Sequence, residues 1–433
     1  MRSNPTRVMS AMALIGVAPI WGAAVVWLSL LCAWEAGHAQ RRFHAPSSSA
    51  AVWDARTREW TAAPPLATGR TRGAAALLSD GSVLIAGGEE RAPGSFELVP
   101  SRTSEIWRRG GPSTRAGVVP ETADEPTLLP LPSARAVLIV NARAPLVAAM
   151  GASAWVRGAP YLEPPRLPAY SACSLQSDGT VLLVSPERLD VETWDPRTDA
   201  WMKVVGPPLH VTGPALIALM DGRTLLVGGP DTHFQVWTPS TAGWQESGIW
   251  PGNATRHLVA QLSGGEVLVL RSESHGWNDS LQEAALWDPS TGQMTTIAPP
   301  NAGVDDGSTL TALAGGLALH VGARAPEVWD PGERGWATVA RPSSPLRGHI
   351  AVRLDDGHVL VAGGDGDEET HVDPTHAVRA SVEGLGLLLL VMGAIAAVGV
   401  ARPSIVVVGL AAFLAGTAAL ALYVLFTLPR GGG

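Results

Sequence analysis

The densest set of residues able to do chemistry is Gly364-Asp365-Gly366-Asp367-Glu368-Glu369, followed by His371, Asp373 and His376. Clustered carboxylates can hold a divalent cation, and Asp365, Asp367 and Glu369 are the oxygen donors in question. The Asp-x-Asp-x-Asp-Gly spacing of an EF-hand is not met, and a solvated acidic loop is the competing reading. Asp305-Asp306-Gly307 reads as a turn. The second kind of chemistry is recognition. Trp277 and Asn278 lie in the polar stretch 271–282, where an aromatic side chain would anchor a ligand. Core packing is the alternative for Trp277.

Signatures of catalysis are absent. There is no Gly-x-Ser-x-Gly elbow, His-Glu-x-x-His, Walker loop or Cys-x-x-Cys pair. No cofactor is expected. The net charge is −8, Lys203 is the only lysine, and no basic cluster marks a nucleic-acid surface. Two cysteines, Cys32 in an apolar run and Cys173 in Ser-Ala-Cys-Ser-Leu, cannot make a disulfide framework.

The elements that would position such residues are repeats. One part of the unit is Val52-Trp53-Asp54-Ala55-Arg56-Thr57-Arg58-Glu59-Trp60, with two Trp seven residues apart. It recurs at Trp194 and Trp201, Trp237 and Trp244, Trp287 and Met294, and Trp329 and Trp336. Weaker copies start at Trp107 and at Ala148, the latter with Trp155 in the second slot. The other part is Leu77 to Gly88, built around Asp80-Gly81; it recurs at Asp178-Gly179, Asp221-Gly222, Gly264-Gly265 and Asp356-Gly357, with degenerate copies near 133–140 and 313–321. Asp-Gly between β-branched runs predicts a hairpin with a type I′ turn. A period of 41 to 54 residues with two hairpins per unit is that of a propeller blade. The fold class expected is therefore all-β. Seven blades are favoured, and six is the count if the copy near Ala148 is a loop. The order of the parts predicts ring closure by pairing the Trp53 strand with the Val359 strand. The paired indoles should wedge neighbouring blades, so Trp201→Ala is expected to cost about 3–5 kcal/mol.

Val-Trp-Asp-Pro-x-Thr-x-x-Trp, then Pro-Pro-Leu, as at Pro64-Pro65-Leu66 and Pro207-Pro208-Leu209, then Asp-Gly-x-Val-Leu-Val-x-Gly-Gly, resembles the Kelch repeat. The resemblance covers about three-quarters of the chain, is strong in four copies and is poor between 101 and 161. The Trp-Asp pairs also suggest a WD-type propeller, but the Gly-His element of that repeat is not in place. Kelch-like propellers include copper radical oxidases resembling galactose oxidase, whose site needs tyrosines, a thioether-forming Cys and His ligands. Tyr161, Tyr170 and Cys173 offer part of such a set, while the histidines are scattered.

Three charge-free apolar segments flank the repeats, at 8–34, 384–401 and 405–428. Each is long enough to span a bilayer, and the last two are joined so tightly that they form a hairpin. The organisation expected is an N-terminal signal or signal-anchor in 1–40, a propeller over 50–375, and two C-terminal transmembrane helices. The alternative for the first segment is cleavage after Gly37-His38-Ala39. The expected location is the cell membrane with the propeller extracytoplasmic. The partners expected are the bilayer, through the three helices, and a protein or glycan at a propeller rim. A binding module leads; an extracytoplasmic enzyme acting on carbohydrate is the runner-up. The stretches 89–132 and 271–282 are the expected contact loops.

Overall fold

A computed structural model describes residues 40–372, apart from 94–96, 122–125, 133–134, 140–143, 150–153, 163–171, 186–189, 210–212, 230, 253, 276–277, 306, 323, 343 and 345. The three apolar segments lie outside the described residues. Among the described residues, no helix is long and apolar enough to cross a membrane. The chain divides into two units, His44–Asp367 and the remainder.

The described chain is built from strands. It opens with β1 (Gln40–Pro46), β2 (Ala50–Asp54) and β3 (Glu59–Ala63). Blade 1 is β4 (Ala74–Leu77), β5 (Val83–Ala86), β8 (Thr103–Arg108) and β9 (Gly111–Val118), interrupted by a small hairpin of β6 (Glu89–Arg91) and β7 (Leu98–Pro100). Blade 2 is β10 (Thr127–Leu131), β11 (Arg135–Ile139), β12 (Leu146–Ala149) and β13 (Trp155–Arg157). Blade 3 is β14 (Ala172–Leu175), β15 (Val181–Ser185), β16 (Asp190–Asp195) and β17 (Ala200–Val204). Blade 4 is β18 (Ala215–Ala218), β19 (Thr224–Gly228), β20 (Thr232–Thr238) and β21 (Gly243–Trp250). Blade 5 is β22 (Arg256–Gln261), β23 (Val267–His275), β24 (Asn278–Trp287) and β25 (Met294–Ile297). Blade 6 is β26 (Thr309–Ala312), β27 (Ala318–Val321), β28 (Pro326–Asp330) and β29 (Gly335–Thr338). Blade 7 joins β30 (His349–Arg353) and β31 (Val359–Gly363) to β2 and β3. A last strand, β32 (Asp365–Val372), pairs with β1.

The first strands of the blades touch in the circular order β4, β10, β14, β18, β22, β26, β30 and back to β4. They form the innermost ring. The fold is a seven-bladed β-propeller. The copy near Ala148 is a strand, not a loop, which removes the six-blade count. Closure is as the repeat order predicts, with Trp53 opposite Val359 in the β2–β31 ladder.

The seven-residue Trp spacing is a cross-strand pair. Trp53 faces Trp60, Trp194 faces Trp201, Trp237 faces Trp244, Trp287 faces Met294 and Trp329 faces Trp336. Ala148 likewise faces Trp155. The first indole of each pair is fully buried, at 0–3% exposure for Trp53, Trp107, Trp194, Trp237, Trp287 and Trp329. The second lies on the outermost strand and is half-buried. Trp201 stacks on Trp194, meets Tyr161 edge-on at 4.9 Å, and donates its indole N–H to the Ala159 carbonyl at 2.9 Å. Its truncation is therefore expected to cost about 2–3 kcal/mol in urea denaturation, below the 3–5 kcal/mol of a fully buried indole.

The Asp-Gly hairpins differ from the type I′ expectation. Gly81 N–H donates to the Leu78 carbonyl and Leu78 N–H to Ser82, and only the glycine takes positive φ (+78°). The loop is a type I turn closed by a left-handed glycine, repeated at Gly179, Gly222, Gly265 and Gly357. Asp80 keeps negative φ because its carboxylate accepts the Ser82 N–H at 3.0 Å, a bond repeated by Asp178, Asp221 and Asp356. The outer turns also place one residue left-handed, and there Arg58, Asp199, Ala242 and Arg334 occupy it without a glycine. Arg334→Gly should raise stability by up to about 1 kcal/mol, read as an upward shift in Tm. Asp199→Gly should not, because its carboxylate accepts the Trp194 indole N–H and the Ala159 N–H.

Candidate functional site at one rim

Antiparallel order puts two kinds of connection on each rim. One rim carries the turns between first and second strands and between third and fourth strands, all of them tight. The other rim carries the connections between blades and those between second and third strands. Every long excursion among the described residues is on this second rim. It includes the β6–β7 hairpin, the extended β23–β24 hairpin, and the blade-to-blade segments 158–171 and 298–308.

Both stretches expected as irregular loops are regular. Residues 89–132 contain β6, β7, β8, β9 and most of β10, while 271–282 belong to the β23–β24 hairpin. Asn278 opens β24 opposite His275. Trp277 lies outside the described residues. The acidic run is also a strand rather than a loop. Asp365, Asp367 and Glu369 alternate along β32, and their period of two places them on one side of it. Among the described residues, no three His, Cys, Asp or Glu side chains come together as a metal site.

Beneath the rim lie three buried polar groups that the sequence did not single out together. The first is in blade 1. Arg70 and Glu105 are 1% and 0% exposed and ion-paired at 2.7 Å. The Arg70 guanidinium also donates to the carbonyls of Gly87 and Thr103 and to the Thr103 hydroxyl. Glu105 accepts the Ala67 N–H and the Ser113 hydroxyl. Every strong site on both partners is occupied, as burial of two charges demands. The close-packed backbone explains the Gly-Gly pairs: a Cβ on Gly363 would meet the Arg70 carbonyl at 2.6 Å.

The second group joins blades 4 and 5. Arg271 donates to the carbonyls of Trp250 and Pro251, to the Thr232 hydroxyl and to Glu283, and its guanidinium lies 3.9 Å over the Trp250 ring. Thr232 also meets His257 Nε2 at 2.9 Å, while His257 Nδ1 meets the Gly213 carbonyl at 3.0 Å. Thr232 oxygen accepts from Arg271, so its proton goes to the imidazole. His257 is thereby fixed as the neutral Nδ1–H form. Burial, with the Arg271 charge adding to it, brings its pKa down to about 4.

The third group joins blades 6 and 7. His349 Nδ1 bonds the Leu346 carbonyl at 2.8 Å and Nε2 the Thr309 hydroxyl at 2.8 Å. His320 is fully buried, edge-on to Trp336, with neither ring nitrogen partnered among the described residues. Burial brings both pKa values down to about 4, and the neighbouring His349 adds to the effect on His320. None of the three imidazoles reaches solvent, and Thr232, hydrogen-bonded to one, is itself 0% exposed. These groups hold blades together; they are not presented to a substrate.

A further code was missed. A Glu or Gln two residues before the first Trp accepts a backbone N–H from the segment that leads into its blade. Glu105 takes Ala67, Glu192 takes Leu162, Gln235 takes Leu209 and Glu327 takes Ala302. The available signal was a polar residue inside an otherwise apolar strand, as in Val191-Glu192-Thr193-Trp194. Arg70 and Arg271 gave no such signal in an Arg-rich chain.

No protein family and no curated protein matches the sequence. Solved structures match the fold. A fungal alcohol oxidase of the AA5 family, in complex with copper, aligns with TM-score 0.53 at 12% identity, over 70% of this chain and 75% of that one. A catalytically inactive histidine-to-alanine form of virginiamycin B lyase from Staphylococcus aureus, with quinupristin, aligns with TM-score 0.50 at 12% identity, over 68% and 94%. A streptogramin B lyase aligns with TM-score 0.50 at 11% identity, over 77% and 97%. At such identities these similarities speak for the propeller and not for an activity. The copper set does not fit here. Tyr161 and Cys173 sit in the same apolar cluster between blades, and burial pushes the Cys173 thiol up to about 12. Tyr170 lies outside the described residues.

Proposed function

We propose that the chain is a membrane-anchored, Kelch-type propeller that binds a protein or glycan through the rim carrying its long connections. The observation that supports this reading is the division between rims, one made of tight turns and the other of every extended hairpin. The apolar segments 8–34, 384–401 and 405–428 supply the anchors, and the propeller lies outside the cytoplasm. The binding face is a hydrogen-bonding surface of mixed charge. Arg72, held at φ 55° with its side chain 44% exposed, lies beside Glu89 at 3.6 Å. Asp231, Arg256 and Asp365 stand on the same rim. Affinity there needs surface complementarity rather than a reactive group.

The test is glycan-array binding and partner co-purification with the full chain in detergent, beside a variant in which residues 91–98 are replaced by Gly-Asn. Saturable binding that the variant lowers at least tenfold is expected. Binding unchanged in the variant and equally lowered by altering the turn at Asp195–Asp199 would overturn the choice of rim. Turnover of an oligosaccharide by the intact chain would favour the enzyme reading instead.

A further inference from the structure

The chain enters and leaves the propeller at one place on the long-connection rim. Ser47 N–H donates to the Gly364 carbonyl at 2.8 Å, and Arg70 N–H to Ser47 at 3.1 Å. Gly364 N–H donates to the Arg70 carbonyl at 2.8 Å, and Asp365 N–H to Arg347 at 2.7 Å. Arg70 and Arg347 both belong to blade-to-blade segments, so both ends of the propeller chain are fastened to that rim. A Cβ on Gly366 would meet the Ala45 carbonyl at 2.5 Å, so the end of β1 meets the start of β32. The two strands run antiparallel.

The apolar segments follow closely. Residues 35–46 separate the first from the rim, and 12 residues reach at most about 40 Å when fully extended. The second begins at Gly384, 12 residues beyond Val372. Both tethers leave from the same rim, whereas the tight-turn rim is one further strand length away, about 17 Å. We propose that the long-connection rim faces the bilayer, and that its partner is the exposed part of a protein embedded in the same membrane. This rests on the anchored reading above. Lipid headgroups are the weaker partner, because the chain carries a net charge of −8 and has no basic cluster to meet an anionic surface.

The experiment uses the full chain in liposomes with Cys32 replaced by Ser; Cys173 is buried and does not label. Glu97→Cys on the long-connection rim and Gly110→Cys on the opposite rim of the same blade each carry a small fluorophore. Both positions are exposed, and a Cβ on Gly110 meets nothing within 4 Å. Energy transfer to a headgroup-labelled acceptor is expected to be clearly higher from position 97, with no quenching there by lipids brominated in the acyl chains. Equal or reversed transfer would overturn the orientation. Higher transfer with strong bromine quenching at 97 would overturn the protein partner in favour of lipid. Failure of the chain to float with liposomes would instead defeat the anchored reading itself.

Discussion

Acidification from pH 7 to pH 4 is expected to unfold the propeller through three buried imidazoles. His257, His320 and His349 have folded pKa values of about 4 against 6.5 unfolded. The unfolded chain therefore binds more protons throughout that window, and stability falls as pH drops. Their contribution is fully present above pH 6.5 and lost as pH approaches 4. Each group accounts for roughly 3 kcal/mol, or on the order of 9 kcal/mol if they act independently. A domain has only about 5–15 kcal/mol in all. Protonation of His257 or His349 also places a second N–H against a hydroxyl already engaged, so the hydrogen bonds oppose charging as burial does. Urea midpoints measured at pH 7, 6, 5 and 4 should fall steeply below 6.5. His320→Leu should remove about a third of that fall, since this ring has no partner to lose among the described residues. A flat profile down to pH 4.5 would show that these rings are hydrated and not buried. The turn aspartates belong to a lower window. Asp80, whose pKa is held down by the Ser82 hydroxyl and N–H, loses its contribution only below its ordinary value of 3.8.

Arg70→Met is expected to cost about 3–5 kcal/mol, the loss typical of removing one member of a buried ion pair. Methionine fills much of the space but leaves Glu105 charged, 0% exposed and facing no cation. It also strands the carbonyls of Gly87 and Thr103. Adding Glu105→Gln should recover part of the loss, because the amide can still accept the Ala67 N–H without a charge. A double-mutant cycle in urea would show coupling well above 1 kcal/mol. Additive effects would mean that the pair does not act as a unit. Blade 1 adjoins blade 7, where the ring closes, so the damage should appear as loss of the whole cooperative transition rather than a local one.

The repeats were legible because their chemistry is local. Two indoles seven residues apart, with a turn between them, can only meet across a hairpin, and a left-handed glycine after Asp80 marks where a strand reverses. Ring closure followed from the order of the parts. The copy around Ala148 and Trp155 was faint because its strand is Leu-Val-Ala-Ala, without the first indole. Its neighbours supply the wedge, so its own sequence is free to vary. The turn type was misread because Asp-Gly alone does not say how many residues the loop holds.

Residue order by itself determined the strands, the number of blades, the closing ladder and the apolar flanks. Only the tertiary structure decided which rim gathers the long connections, and that Arg70, Arg271 and three dispersed histidines are blade-to-blade fasteners. The physical reason is range. Turns and cross-strand pairs form between residues a few positions apart, whereas each buried polar group draws partners 12 to 48 residues away in the chain, such as Arg271 with Glu283 or Thr224 with Gln176. Such bonds exist only after the ring has brought neighbouring sheets together and excluded water.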